Sequence, residues 1–169
     1  ILLASFDSGF GGLTVISVAN PMRPAKLSVL HPFGFVHGLT ALHGNLYGGG
    51  TALRVLNVSE SGALSEIASV PLYEGYVSDG GISAGMGYVY VVTHPGGLYV
   101  VSIADPADPR IAGSLPLAGS TRVARAGDYL FVASDPRLNI VSVSNPINPT
   151  LVGSYSHCPM VYIPLVLSP

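Results

Sequence analysis

The sequence predicts an all-β repeat protein, and three observations lead there. An apolar phrase recurs four times, at 13–18, 53–58, 98–103 and 138–143, and its lead residues Leu13, Leu53, Leu98 and Leu138 stand 40, 45 and 40 residues apart. The 21 glycines and 14 prolines are spread along the chain and not pooled in linkers, as many short strands joined by tight turns require. No window keeps apolar residues at i, i+3, i+4 and i+7 for three turns without a Gly or Pro, which leaves no place for a helix. Four strands for every ~40–45 residues is the period of a β-propeller blade. The expectation is a β-propeller of four-stranded antiparallel blades, about four of them present, forming part of a larger propeller.

The elements follow in order. The N-terminus supplies three strands, at 2–5, 13–18 and 26–30, so the first blade lacks its inner strand. A second set reads 37–42, 45–48, 53–58 and 64–70. A third reads 83–85, 88–92, 98–103 and 110–115. The last is the clearest: 121–126, a turn at Gly127-Asp128, 129–133, a turn at Asp135-Pro136-Arg137, then 138–143 and 150–155. Runs such as Tyr88-Val89-Tyr90-Val91-Val92 are apolar without alternation, the mark of strands buried on both faces.

Three copies of the phrase end in Asx-Pro-x-x-Pro: Asn20 to Pro24, Asp105 to Pro109 and Asn145 to Pro149. The Asx side chain accepts from an N–H two residues on, while Pro presets φ at the next position. The second Pro cannot donate to a ladder, so it belongs at a strand's start. In the second copy Glu60-Ser61-Gly62 stands where the Pro turn is expected. The motif is read as structural, a device that only turns the chain.

Composition narrows the function classes. Hydrophobic residues make up 49% of 169, yet no uninterrupted apolar stretch reaches the ~18–20 residues of a membrane helix. Seven basic residues, scattered along a chain of net charge −2, make no stripe for nucleic acid. The single cysteine, Cys158, excludes an internal disulfide framework. The chain begins with Ile1 and inside a repeat, so it reads as a piece of a longer protein.

The segments 127–133 and 138–154, Gly-Asp-Tyr-Leu-Phe-Val-Ala and Leu-Asn-Ile-Val-Ser-Val-Ser-Asn-Pro-Ile-Asn-Pro-Thr-Leu-Val-Gly-Ser, closely resemble the LVIVD repeat. The resemblance covers nearly the whole chain in four copies, with 43–70 the most degenerate. It implies a bacterial or archaeal surface or secreted β-propeller, hence an extracellular or cell-surface location, and it implies no particular reaction. Residues 1–155 form the propeller segment. The tail at 156–169 departs from the pattern and reads either as a strand closing the first blade or as a surface-sorting tail; Pro164 favours the tail.

Ligands of a propeller meet the face lined by second-to-third turns and blade-to-blade crossovers, since loops on a rigid scaffold carry binding. The turns offer Asp7, Ser8, His94, Asp135 and Arg137. The crossovers offer His31, Phe33, Phe35 and His37, then Tyr73, Glu74, Tyr76 and Asp79, then Ser120 and Arg122, and finally His157. The favoured set for ligand binding is Phe33, Phe35, His37, Tyr73, Glu74, Tyr76, Asp79 and Arg122, with the aromatics as contact surface. Asp7, Asp79 and Asp135 are the weak metal candidates, because Ca²⁺ or Mg²⁺ needs several oxygen ligands; no metal motif supports them, and no cofactor is expected. No G-x-S-x-G elbow accompanies the repeat serines Ser102 and Ser142. The reading is a non-catalytic module binding a protein or carbohydrate, against two alternatives: a metal-dependent hydrolase or lyase, and a structural spacer of the cell envelope.

Overall fold

A computed structural model describes residues 2–7, 12–30, 36–73 and 75–156. Among the described residues fifteen strands form four separate antiparallel meanders. The first blade has three strands: β1 (Leu2–Asp7), β2 (Gly12–Ser17) and β3 (Ala25–Leu30). The second holds β4 (Gly38–Leu42), β5 (Asn45–Gly49), β6 (Ala52–Val58) and β7 (Leu64–Pro71). The third holds β8 (Tyr76–Gly85), β9 (Tyr88–His94), β10 (Gly97–Ser102) and β11 (Arg110–Pro116). The fourth holds β12 (Ser120–Ala126), β13 (Tyr129–Ser134), β14 (Arg137–Ser142) and β15 (Thr150–Ser156). The lead leucines fall on β2, β6, β10 and β14, and the last three of these are each the third strand of a four-stranded blade.

The blades face one another. First strands meet, β4 against β8 and β8 against β12, which is the inner edge of a propeller. The core is therefore a row of layers between blades. Tyr47, Leu53 and Val55 of the second blade pack against Val77, Val89, Val91 and Val101 of the third. Tyr90, Val92, Leu98 and Val100 of the third pack against Val123, Leu130, Val132 and Val141 of the fourth. Alternate residues of β9 thus serve two different layers, and five consecutive positions, 89–93, are buried. That is the physical reason for the apolar run and for the high hydropathy.

One irregularity recurs in every blade. The pairing of third and fourth strands shifts after Val15, Val55, Val100 and Ile140. The shift leaves Leu27, Ile67, Ala112 and Val152 as bulge residues on the outermost strands. Bulges on an edge strand bend it and blunt its capacity to pair with another chain. The residue after each bulge is small: Ser28, Ala68, Gly113 or Gly153.

The Asx-Pro turn forms as its chemistry predicts. The Asn20 and Asp105 side chains accept from the Met22 and Ala107 N–H groups at 3.1 and 2.9 Å. All three motifs close with an N–H of the fourth residue donating to the first carbonyl. In the second blade Gly62 at φ +83° closes the turn on Ser59 instead. The turn also does more than reverse the chain. A Cβ on Gly113 would lie 2.7 Å from the Pro146 carbonyl oxygen, so the fourth blade's turn is seated on the third blade's outer strand. Likewise Ser28 donates its hydroxyl proton to the Gly62 carbonyl at 2.5 Å, joining the first blade to the second. A motif expected only to turn the chain is an inter-blade contact.

Strand ends differ from the sequence expectation by a residue or two, with one exception. The third blade's first strand runs from Tyr76, not from position 83. Tyr76 and Val77 pair with His94 and Thr93 before the register breaks, and pairing resumes at Ile82. A Gly80-Gly81 irregularity inside the strand hid its first half from a reading based on continuous apolar residues.

Candidate functional site

The rim where first strands start and second strands end brings three of the predicted residues together. Tyr76 is its centre. The ring of Tyr76 stands 6.0 Å from that of His37 and 6.2 Å from that of His94, centroid to centroid, tilted by 51° and 64°. His37 enters from just ahead of β4, where its N–H donates to the Gly49 carbonyl. His94 ends β9 and pairs in register with Tyr76. A second-blade residue and two third-blade residues so share one patch. Tyr76 is 48% exposed and the nearby Tyr73 79% exposed, while both imidazoles are half-buried. Close packing of the turn holds the arrangement: Gly75 lies against the His94 carbonyl, where a Cβ would come within 2.1 Å.

The fourth blade repeats the architecture with different chemistry. His94 and Asp135 occupy equivalent positions at the start of their second-to-third turns, and each precedes a cis proline, Pro95 and Pro136. A hollow of about 420 Å³ opens beside Asp135 and Arg137, walled by Leu117, Ala118 and Ser134. Beneath it lies a buried polar chain. Asn139 donates an amide proton to Ser134 at 3.1 Å, the Ser134 and Ser120 hydroxyls are 3.0 Å apart, and Ser120 donates to the Leu117 carbonyl at 2.6 Å. Ser154 donates to the Asn139 side-chain oxygen at 2.9 Å. Ser120, Ser134 and Asn139 are almost fully buried, and each of these serine hydroxyls has a partner, so this chain braces the turn. Sequence reasoning named Ser120 as a crossover residue and missed Ser134, Asn139 and Ser154. The alternation of polar with apolar residues in Leu138-Asn139-Ile140 was the available signal.

The remaining predicted residues are dispersed. Tyr76, Asp79, Ser120 and Arg122 were expected on crossovers; they lie on β8 and β12, because both first strands extend to the rim. Arg122 lies along Gly80 of the neighbouring first strand, 3.4 Å from where a Cβ would be, facing the inner edge. Asp7 ends β1, Asp79 lies in β8 and Asp135 follows β13, so the three weak metal candidates belong to three different blades. Among the described residues no three metal-ligating side chains come together. His37 and His43 stand at opposite ends of β4. Phe33, Phe35, Glu74, Ser8, His31 and His157 lie outside the described residues, as do the side chains of Asp7 and Asp79.

Two buried phenols sit in the layers behind the rim. Burial pushes the Tyr47 and Tyr90 hydroxyls above their ordinary range; Asn45 and Arg125 beside them pull the other way more weakly. Neither neighbour reaches hydrogen-bonding geometry, and both hydroxyls are without a partner among the described residues.

Comparison with known proteins agrees with this architecture. The LVIVD repeat family matches residues 74–115 and 118–157, which are the third and fourth blades. A crystal structure of a protein from Lactobacillus plantarum, a structural-genomics target, superposes with a TM-score of 0.77 at 14% identity. The match covers 96% of this chain and 54% of that one, so the chain spans about half the length of its structural neighbour. The likeness establishes a β-propeller-like fold. No curated protein matches the sequence.

Proposed function

Because the chain is an LVIVD-repeat protein, we propose that it is a non-catalytic binding module of the cell surface or the secreted fraction. Its ligand is a protein or a carbohydrate, and the binding surface is the rim around Tyr76. The observation that carries this reading is the exposed Tyr76 ring between the His37 and His94 rings; Tyr73, three residues earlier in the chain, is also exposed. Aromatic rings offer a large contact area with few torsions to immobilise, and the imidazoles add edge donors and acceptors for orientation. Phe33, Phe35, Glu74, Asp79 and Arg122 remain proposed contributors to the same face. The extracellular location is part of the proposal and rests on the family resemblance; no described helix is long and apolar enough to cross a membrane.

The test is direct binding of wild type, Tyr76→Ser and Tyr73→Ser to two probes. These are solubilised cell-envelope proteins and a panel of soluble envelope oligosaccharides, measured by calorimetry or surface resonance. Saturable binding to one probe, weakened about tenfold or more by Tyr76→Ser with unchanged folding, supports the reading and names the ligand class. Binding to neither probe favours the spacer. Catalysis tied to a bound metal and lost with Asp135→Ala favours the hydrolase.

A further inference from the structure

The layers between blades are not filled alike near the rim. Tyr99 in the third blade and Asn139 in the fourth each follow the lead leucine, and each faces the preceding blade. The Tyr99 ring packs against the layer between the second and third blades. Asn139 is the smaller residue in that place, and the hollow of about 420 Å³ lies there, between the third and fourth blades. That volume suits a small molecule. The hollow does not belong to the outward face of the fourth blade. Arg137, Asn139 and Val141 alternate along β14 and share the side turned to the third blade, where Val141 is core. Leu151 pairs with Val141 in register and lies on the same side.

The lining carries both signs of charge, a buried donor and an apolar wall. Asp135 and Arg137 flank Pro136 and both line the hollow. Asp108 and Arg110, at the same spacing, pair with each other, whereas Asp135 and Arg137 make no ion pair among the described residues. The Asn139 side chain, 6% exposed, has two amide N–H groups. One donates to Ser134, and the amide oxygen accepts from Ser154. Ser120 gives its proton to the Leu117 carbonyl, so Ser134 gives its own to Ser120. The second Asn139 N–H is left without an acceptor among the described residues, a deficit that a ligand oxygen would remove. Of the apolar wall, Leu117 is buried and Leu151 is 49% exposed.

We propose that this hollow binds a free α-amino acid with an apolar side chain. Arg137 takes the carboxylate through parallel N–H···O bonds, with the second Asn139 N–H as a further donor. Asp135 takes the ammonium group, and Leu117 and Leu151 cover the side chain. Recognition rests on both charges of the zwitterion at once, which the uncharged aromatic patch at Tyr76 does not offer. The proposal is independent of the ligand reading for that patch.

Titration calorimetry of the whole chain with L-leucine and L-phenylalanine tests it, with N-acetyl-L-leucine, L-leucinamide and methyl glucoside as comparison probes. At least one of the free amino acids is expected to bind saturably, at one site per chain. The two blocked forms each lack one charge and should bind about tenfold or more weakly. Asp135→Asn and Arg137→Gln alter exposed side chains that brace nothing, so circular dichroism and melting should match the wild type. Each should weaken the free amino acid about tenfold or more. Arg137→Gln should also erase the preference for L-leucine over L-leucinamide, and Asp135→Asn the preference over N-acetyl-L-leucine. Tyr76→Ser should leave all of these affinities unchanged. No saturable binding of either amino acid up to ~10 mM overturns the proposal. Blocked forms that bind as well as the free one, or binding untouched by both variants, overturn it too. Binding of methyl glucoside in place of the amino acids does the same and makes the hollow a sugar subsite.

Discussion

Gly62 and Leu27 are in close contact across the boundary between the first and second blades. A Cβ on Gly62 would lie 2.6 Å from Leu27 Cδ1 and 2.8 Å from its Cβ, at a residue with φ +83°. The degenerate copy of the turn thus does the docking work of the proline copies with a glycine. Gly62→Ala would strain both the backbone and the Leu27 contact. We expect a loss of about 1–3 kcal/mol in denaturant unfolding, centred on the first two blades. Ser59→Ala, which removes only the hydroxyl accepting the Ala63 N–H, should cost less.

Leu98 and Leu138 hold the same place in successive repeats, one fully buried and the other 40% exposed. Leu98→Ala should cost about 2–5 kcal/mol, because it opens a cavity in the layer between the third and fourth blades. Leu138→Ala should cost under about 1 kcal/mol in a monomeric sample, since water already reaches that side chain. Equal losses at the two positions would mean that the fourth blade's outer face is covered.

The buried chain through Asn139 makes a different prediction. Asn139→Ala removes the donor to Ser134 and the acceptor for Ser154 together. Ser134 keeps its Ser120 partner and Ser154 reaches water, so the loss of two hydrogen bonds should cost about 1–3 kcal/mol. Ser154→Ala, at a more exposed position, should cost less. Urea unfolding of both variants checks the order.

Tyr90 and Tyr47 predict the alkaline limb of stability. Each phenol is held protonated by burial, with its folded-state pKa above the ordinary 10.0. Below about pH 10 both states keep the proton and stability is unaffected by it. Above that, the unfolded chain loses protons the folded chain retains, so stability falls as pH rises toward the folded-state value. Tyr90→Phe should flatten this fall while changing neutral-pH stability by less than about 1 kcal/mol, because its hydroxyl has no hydrogen-bond partner to lose. The fourth blade already carries Phe131 at this position. Melting temperatures at neutral pH and above pH 10 read both effects.

Much of the fold was legible in the residues. The lead leucines located the third strands, and the proline turns located the fourth. Local chemistry suffices for these, because apolar runs and Asx-Pro turns act over a few residues. The rim was legible only as a list. His37 and Tyr76 were named, but nothing in a spacing of 39 residues says that their rings meet, or that His94 completes the group. The long β8 was hidden by Gly80 and Gly81, which interrupt a strand without ending it.

Sequence alone determined the repeat, its strands, its turns and the apolar character of both strand faces. Tertiary structure alone decided which copies of one residue are core and which are surface. Leu98 and Leu138, or Pro109 and Pro24, are the same residues in the same local conformation. Their burial differs because burial is set by the neighbouring blade, whose residues lie about forty positions away in the sequence. Thirty-three residues separate Gly113 from the Pro146 carbonyl that explains it. A small residue after each bulge is visible in the sequence, but the reason for the one at Gly113 is a contact made through space.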